Sequence, residues 1–495
     1  MRIIQLSKSV VTLPFRGLKM AGKFLLENHA LKTLSGAKLA KKREYKRYLN
    51  ESNKGLLLDG QSLCLSERES FQNVCLIARV GAGKTSQYII PNVLDKARRK
   101  CSLVVNDPKG EVFEATSQYM SDKGYNVIVI DPENLNRSSR FNPLMEVTDN
   151  IQLEQIAQIL IMAGSTSANK DQFWNHGAMR FVSLFLKCLL NAADENDGYF
   201  TLANLYYLFQ NFGEDGKALD EFMVRYTANP NHLKDDTLWN EWQGVLTGND
   251  EGIRSFILSA ITALRALSNP NVARLTATSS FKLGDLRQRK TIIYFITPAQ
   301  HAEYYSFLTS IFFQSVFNMA MRELPGRRDL PIYVLYDEFG HSAIPNFVST
   351  ANTIRGYKVS LSIVLQAIGQ LNARYGRDYA QAIQGGFNTW MALSGSDPDT
   401  AKFFEGIIGR VRERTRKTWD DHQQKYTEYN LLNANEIRTI GGNQALIVSS
   451  NRNPVLLNVL PHFGNLKLKG ALRRGAYELP AQQGNDELAW VPLRF

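Results

Sequence analysis

Residues 73–94 read NVCLIARVGAGKTSQYIIPNVL. An apolar run leads into a glycine-rich turn ending Gly83-Lys84-Thr85, and a segment with helical spacing follows. That order is what a phosphate-binding P-loop requires. The strand delivers the chain to a turn, Val80-Gly81-Ala82-Gly83-Lys84-Thr85, whose backbone N–H groups point inward at phosphate oxygens. Lys84 reaches the β- and γ-phosphates, and the Thr85 hydroxyl is placed to ligate Mg²⁺. The helix sets its positive end against the same anion. The expected ligand is a nucleoside triphosphate; the alternative is a glycine-rich strand-to-helix turn without one. The full pattern asks for Gly five residues before Gly83, where this chain has Ala78. Alanine serves there if its φ stays negative.

Outward from this turn, apolar strands alternate with helical stretches, as a mostly parallel α/β sheet requires. Strands are expected at 103–105 and 126–130, with a helix at 112–120 between them. Helices are expected at 151–162 and 174–190. From about 198 to 280 the periods are helical throughout (202–209, 218–226, 238–246 and 252–267), which predicts an all-helical insertion. Alternation resumes with strands at 291–296, 332–336, 361–365 and 389–393 and a helix at 302–321.

The strand at 332–336 runs into Asp337-Glu338. A P-loop ATPase needs such a pair at the end of a strand expected beside the P-loop strand. The first acid directs Mg²⁺ and the second accepts a proton from the attacking water. An acid pair opening a helix is the other reading. Gln366, at the tip of the next strand, is either a γ-phosphate sensor or a strand-end residue without a partner. Arg355 is either a surface ion-pairing residue or a donor to a phosphate on a neighbouring subunit.

The chain has 495 residues, 44% hydrophobic and 21% charged, enough for two or three domains. Four widely separated cysteines form no C-x-x-C pair, which points to a reducing cytoplasm. Of the net charge of +11, +10 lies in residues 1–50, where twelve Lys and Arg face only Glu27 and Glu44. Lys8, Arg16, Lys19 and Lys23 interrupt the arm's apolar residues, so neither a membrane span nor a signal peptide fits. The arm suits an anionic lipid surface or a membrane partner; the alternative is a solvated arm that packs loosely or contacts nucleic acid nonspecifically. Arg410, Arg412, Arg414, Arg416 and Lys417 alternate along a second basic run, suited to a nucleic-acid backbone or to a solvated face.

GAGKTSQYIIPNVL, NDPKGE at 106–111, SSRFNPL at 138–144, YDEFG at 336–340, TIRGY at 353–357, LQAIGQL at 365–371, GSDPDTAKFFEGIIGR at 395–410 and LLNANEIRTI at 431–440 form an ordered set. In order and spacing the set resembles the type IV secretion coupling proteins, the TraG/TraD-like conjugative DNA-transfer ATPases. The resemblance implies a RecA-like P-loop nucleotide-binding domain in two parts, 51–197 and 286–470. An all-α domain at 198–285 is inserted between them, with a basic arm at 1–50 and a C-terminal tail at 471–495. It implies ATP and Mg²⁺ at the interfaces of a homo-hexameric ring around a DNA channel. By position it assigns Lys84 to phosphate, Thr85 and Asp337 to Mg²⁺, Glu338 to water activation, Gln366 to the γ-phosphate and Arg355 to a site in trans. Asp107, Lys109 and Glu111 match a signature that reads as a strand-end network.

The implied function is delivery of a relaxase–single-stranded DNA substrate to a type IV secretion channel, driven by ATP hydrolysis. The alternatives are a double-stranded DNA translocase or packaging motor, and an ATP-switched adaptor for protein substrates. Family members commonly begin with a transmembrane domain, which this sequence lacks. The expected location is cytoplasmic, or peripheral at the inner face of the cytoplasmic membrane.

Overall fold

The computed structural model describes residues 36–164, 172–213, 217–227, 237–247, 250–342, 344–414, 426–449, 451–480 and 487–493. Most of the basic arm, and Arg416 and Lys417, lie outside the described residues. The strands are β1 (Val74–Ile77), β2 (Ser102–Asn106), β3 (Asn126–Ile130), β4 (Thr291–Phe295), β5 (Ile332–Tyr336), β6 (Val359–Leu365), β7 (Thr389–Leu393), β8 (Arg410–Arg414), β9 (Tyr426–Asn430), β10 (Gln444–Ser449) and β11 (Val455–Asn458). Nine of them form one sheet in the order β11-β10-β7-β1-β6-β5-β2-β4-β3, while β8 and β9 form a separate ribbon. From β7 to β3 all neighbours are parallel; β10 and β11 add an antiparallel edge.

The apolar runs have a physical cause. Strands buried on both faces need apolar residues at every position. Cys75, Ile77, Val104, Ile293 and Val334 point into one core. Val74, Leu76, Leu103, Val105, Ile292 and Leu335 point into the other. The helix Ser306–Met321 covers the first face, and Ile90–Lys96 and Glu111–Asp122 cover the second.

One expectation is corrected. The Asp337-Glu338 strand, β5, is not beside the P-loop strand; β6 lies between them and pairs with both. Strand order is set by tertiary packing of the crossover helices, which local periodicity does not encode.

β3 and β4 are neighbours, yet the regular elements among the described residues between them are all helices. Its helices include Asn150–Gly164, Gln172–Ala192, Leu202–Gln210, Asp220–Thr227, Thr237–Leu246 and Asp250–Ala263. Phe181, Phe185, Phe209, Phe212 and Trp242 pack as tilted and edge-to-face rings, with Phe185 and Phe209 centroids 4.8 Å apart. The SSRFNPL stretch fastens the base of this block. Arg140 O accepts from Ser280 N, Phe141 N donates to Leu275 O, and Asn142 Nδ2 donates to Phe200 O at 2.8 Å.

Candidate nucleotide site

The carboxyl ends of β1, β6, β5, β2 and β4 lie on one edge of the sheet, where open α/β folds place ligands. Chain from all five lines a single cleft of about 220 Å³: Lys84 and Thr85 after β1, Gln366 after β6, Asp337 and Glu338 after β5, Asp107 to Glu111 after β2, and Ala299 after β4.

The turn after β1 is built by Gly81 (φ +81°) and Gly83 (φ +85°), both left-handed. A β-carbon on Gly83 would also stand 2.9 Å from Gln87 Nε2. Ala78 is not among the left-handed residues and still donates to Leu365 O, so the departure from the glycine pattern is accommodated. Val80 is exposed at the tip and Ala82 is buried beneath it.

The helix after the turn opens with a wide turn, Thr85–Ile89, in which Ile90 N donates to Thr85 O five residues back. Pro91 is the reason. It has no N–H for the Gln87 carbonyl, and its ring would strike it, so the ladder widens before it. Asn92 is buried and donates to Leu57 O and Tyr88 O at 2.9 Å, while its Oδ1 accepts from Leu57 N. The Ile-Pro-Asn signature is therefore structural: it shapes this helix and ties Leu57 to it.

Lys84 Nζ lies 3.3 Å from Asp337 Oδ1 and contacts Glu338 Oε1. The other Glu338 oxygen accepts from Gln366 Nε2 at 2.7 Å. Gln366 N in turn donates to Gln370 Oε1 at 2.8 Å. Glu338 occupies the left-handed region (φ 55°, ψ 39°), which costs about 1–2 kcal/mol for a residue with a β-carbon. Such strain is typical of functional positions. Asp337 is fixed by Glu338 N on its Oδ1, and Asn106 Nδ2 donates to its carbonyl at 2.6 Å.

Burial pushes the Asp337 carboxyl up to about 6 against the pull of Lys84, and the Glu338 charge adds to the rise. Burial pushes Asp107 up to about 7; the Phe113 and Val112 amides oppose this, and Glu111 and Asp337 reinforce it. Asp107 caps the helix Glu111–Asp122 by accepting from Phe113 N at 2.8 Å.

This acid-rich edge suits a ligand that brings a divalent cation. Among the described residues no three His, Cys, Asp or Glu side chains form a metal site by themselves. Mg²⁺ takes one or two protein oxygens and completes its shell with phosphate and water. Thr85 and Asp337 line the same cleft as Lys84 and could supply those oxygens.

Of the residues expected from sequence, Lys84, Thr85, Asp337, Glu338 and Gln366 converge. Arg355 does not join them in its own chain. It lies in the turn Ile354–Tyr357 before β6, whereas Gln366 follows β6. A seven-residue strand, spanning roughly 23 Å, separates those edges. Arg412 lies on β8 and is paired with Glu428 across the ribbon. Sequence reasoning missed His341, 3.9 Å from Glu338, and Gln370, whose amide packs against Gly340. His341 carries no signal in sequence because the left-handed turn at Glu338 brings it there. Gln370 was readable only as the glutamine four residues beyond Gln366.

The family model for type IV secretory system conjugative DNA transfer matches residues 29–482. Protein VirD4 of Rhizobium radiobacter is 24% identical over 425 residues, covering 82% of this chain and 59% of its own length. Conjugal transfer protein TraG of the same organism is 23% identical over 412 residues, covering 79% and 62%. The chain thus spans about three fifths of the length of the VirD4 relatives it matches. Among solved structures, the plasmid coupling protein TrwB in complex with ADP and Mg²⁺ has a TM-score of 0.65 at 15% identity, covering 86% of this chain and 94% of that one. At that identity the likeness speaks to the fold. Among the described residues no helix is long and apolar enough to cross a membrane.

Proposed function

The chain belongs to the type IV secretory system conjugative DNA-transfer family, and from that premise we propose that it is an ATP-hydrolysing coupling protein that passes a relaxase–single-stranded DNA substrate to the secretion channel. The observation that carries this reading is the meeting of Lys84, Asp337, Glu338 and Gln366 from three strand ends in one cleft. The complexes of TrwB with ADP and Mg²⁺ and with an ATP analogue support a nucleotide there.

In this reading Lys84 exchanges its carboxylate partners for phosphate oxygens, and the turn 80–85 wraps the same phosphates with backbone N–H groups. Thr85 and Asp337 hold Mg²⁺, which when bound neutralises phosphate charge. Release from Lys84 leaves Glu338 Oε1 able to accept a proton from water, while Oε2 stays on Gln366 Nε2. Gln366 thereby reports at β6 whether the γ-phosphate is present. Arg355 acts on a neighbouring copy's nucleotide in a homo-hexameric ring. The insertion at 198–285 is a domain of its own, and the basic arm brings the ring to the membrane peripherally or through a partner.

The test is the ATPase rate with single-stranded DNA, with duplex DNA and with none. Stimulation by single strands supports the proposal. Preference for duplex would favour a translocase or packaging motor, and indifference to DNA would favour a protein adaptor.

A further inference from the structure

Residues 487–493, ELAWVPL, lie against the helical block. Asn204, buried on the helix Leu202–Gln210, holds this segment by its main chain. Its Nδ2 donates to Ala489 O at 2.8 Å and its Oδ1 accepts from Val491 N at 3.1 Å. One side-chain amide thus brackets the backbone on both sides of Trp490, using a donor and an acceptor that any extended peptide can satisfy.

Three side chains set the pattern. Val491 is 2% exposed and enters the core of the block. Trp490 rests on Tyr207 with centroids 5.0 Å apart but stays half exposed. Ala489 approaches Gly198 so closely that a β-carbon there would lie 2.9 Å from its own. Gly198 is not left-handed, so it is the close approach of Ala489, with Asn196 Oδ1 at 3.1 Å second to it, and not the backbone dihedral that opposes a side chain. Backbone recognition with pockets for a few side chains is how proteins bind extended peptides.

We propose that the surface formed by Gly198, Asn204 and Tyr207 is a peptide-binding seat, occupied by the chain's own 489–491 and taken in exchange by an extended small–aromatic–β-branched segment of a partner protein. The seat gives the helical block a means of recognising a partner, and the resident segment competes for it. A tethered occupant acts at high effective concentration, so only a tighter or multivalent partner displaces it. This inference does not depend on nucleotide hydrolysis.

The probe is a fluorescein-labelled peptide, ELAWVPL, followed by anisotropy with the full chain. Val491→Asp puts a carboxylate where the core is apolar and empties the seat. It should bind the probe at least tenfold more tightly than the unaltered chain, a difference of about 1.4 kcal/mol. Adding Gly198→Ala to Val491→Asp should reverse that gain at least tenfold with the melting temperature unchanged from Val491→Asp. Asn204 also donates to Tyr199 O at 3.0 Å, so its replacement would disturb the turn and is the poorer test. Equal probe binding by the unaltered chain and Val491→Asp would overturn the proposal. So would binding indifferent to Gly198→Ala, or a Val491→Asp chain that melts lower and binds no probe, which would make the segment a structural strap.

Discussion

Replacing Glu338 by Gln tests the assignment of the general base with the least structural disturbance. The carboxylate has two acceptor oxygens, one used by Lys84 and one by Gln366. A carboxamide offers a single oxygen, so one of those contacts is lost. Lys84 retains Asp337 at 3.3 Å, and the new amide is the same size, so the cleft should stay folded. Nucleotide affinity should be unchanged or up to about tenfold tighter, because a competing anion for Lys84 has gone. Hydrolysis should slow by about 10²–10⁴-fold, the usual contribution of a positioned base. At about 1.36 kcal/mol per decade this is a loss of about 3–5 kcal/mol of transition-state stabilisation. Single-turnover phosphate release, with affinity measured separately by a fluorescent nucleotide, reads the two effects apart. A Glu338→Gln chain hydrolysing within threefold of the unaltered rate would refute the base assignment, as would a rate loss wholly explained by lost affinity.

Three further outcomes follow from the same geometry. Folded Asp107 titrates near 7 and an unfolded aspartate near 4, so the folded chain holds the extra proton between them. Its contribution is complete below about 4 and is lost as pH rises through about 7; thermal melts should show the unaltered chain losing ground to Asp107→Asn from pH 5 to pH 8, and parallel curves would contradict the shift. Gly83→Ala, at φ +85° and 2.9 Å from Gln87 Nε2, should weaken nucleotide binding at least tenfold, while Gly356→Ala, with open space around it, should leave isotherms unchanged. Lys358 is left-handed (φ 51°, ψ 41°), so Lys358→Gly relieves about 1–2 kcal/mol of strain against about 0.5–1 kcal/mol of added chain entropy and loss of the exposed Lys358 Nζ–Gly326 O hydrogen bond at 2.7 Å, and urea unfolding should show stability within about 1 kcal/mol of the unaltered chain, where a loss beyond about 2 kcal/mol would count against that strain.

The parts of the fold that rest on local pattern were legible in the sequence, and those that rest on tertiary choice were not. The apolar runs at 126–130, 332–336 and 389–393 are strands because both faces of a covered parallel sheet demand apolar residues. The helical periods between β3 and β4 likewise match helices. β10 and β11 were not foreseen; the edge strand β11 is four residues long and alternates buried with exposed, a pattern too short to stand out. The interposed β6 was equally hidden. In the site, the meeting of Lys84, Asp337, Glu338 and Gln366 was legible because each follows a strand. NDPKGE could be placed only once β2 was found beside β5, which turns Asp107, Lys109 and Glu111 toward the cleft.

The position of β6 also gives Gln366 its reach. A strand between the P-loop strand and the acid strand puts its tip midway between Lys84 and Glu338, so Gln366 meets Glu338 without displacing Lys84. Its backbone is held by Gln370, whose amide packs on Gly340 two residues beyond Glu338. Arg374 on the same helix donates to His341 O at 2.6 Å. The strained turn after β5 and residues 366–375 after β6 are therefore fastened at three points, one of which is the Glu338 carboxylate. Any change in what Lys84 binds alters the charge facing that carboxylate and loads the same contacts. Had β5 stood beside β1, the acid would face Lys84 alone and this linkage to a second strand would be absent.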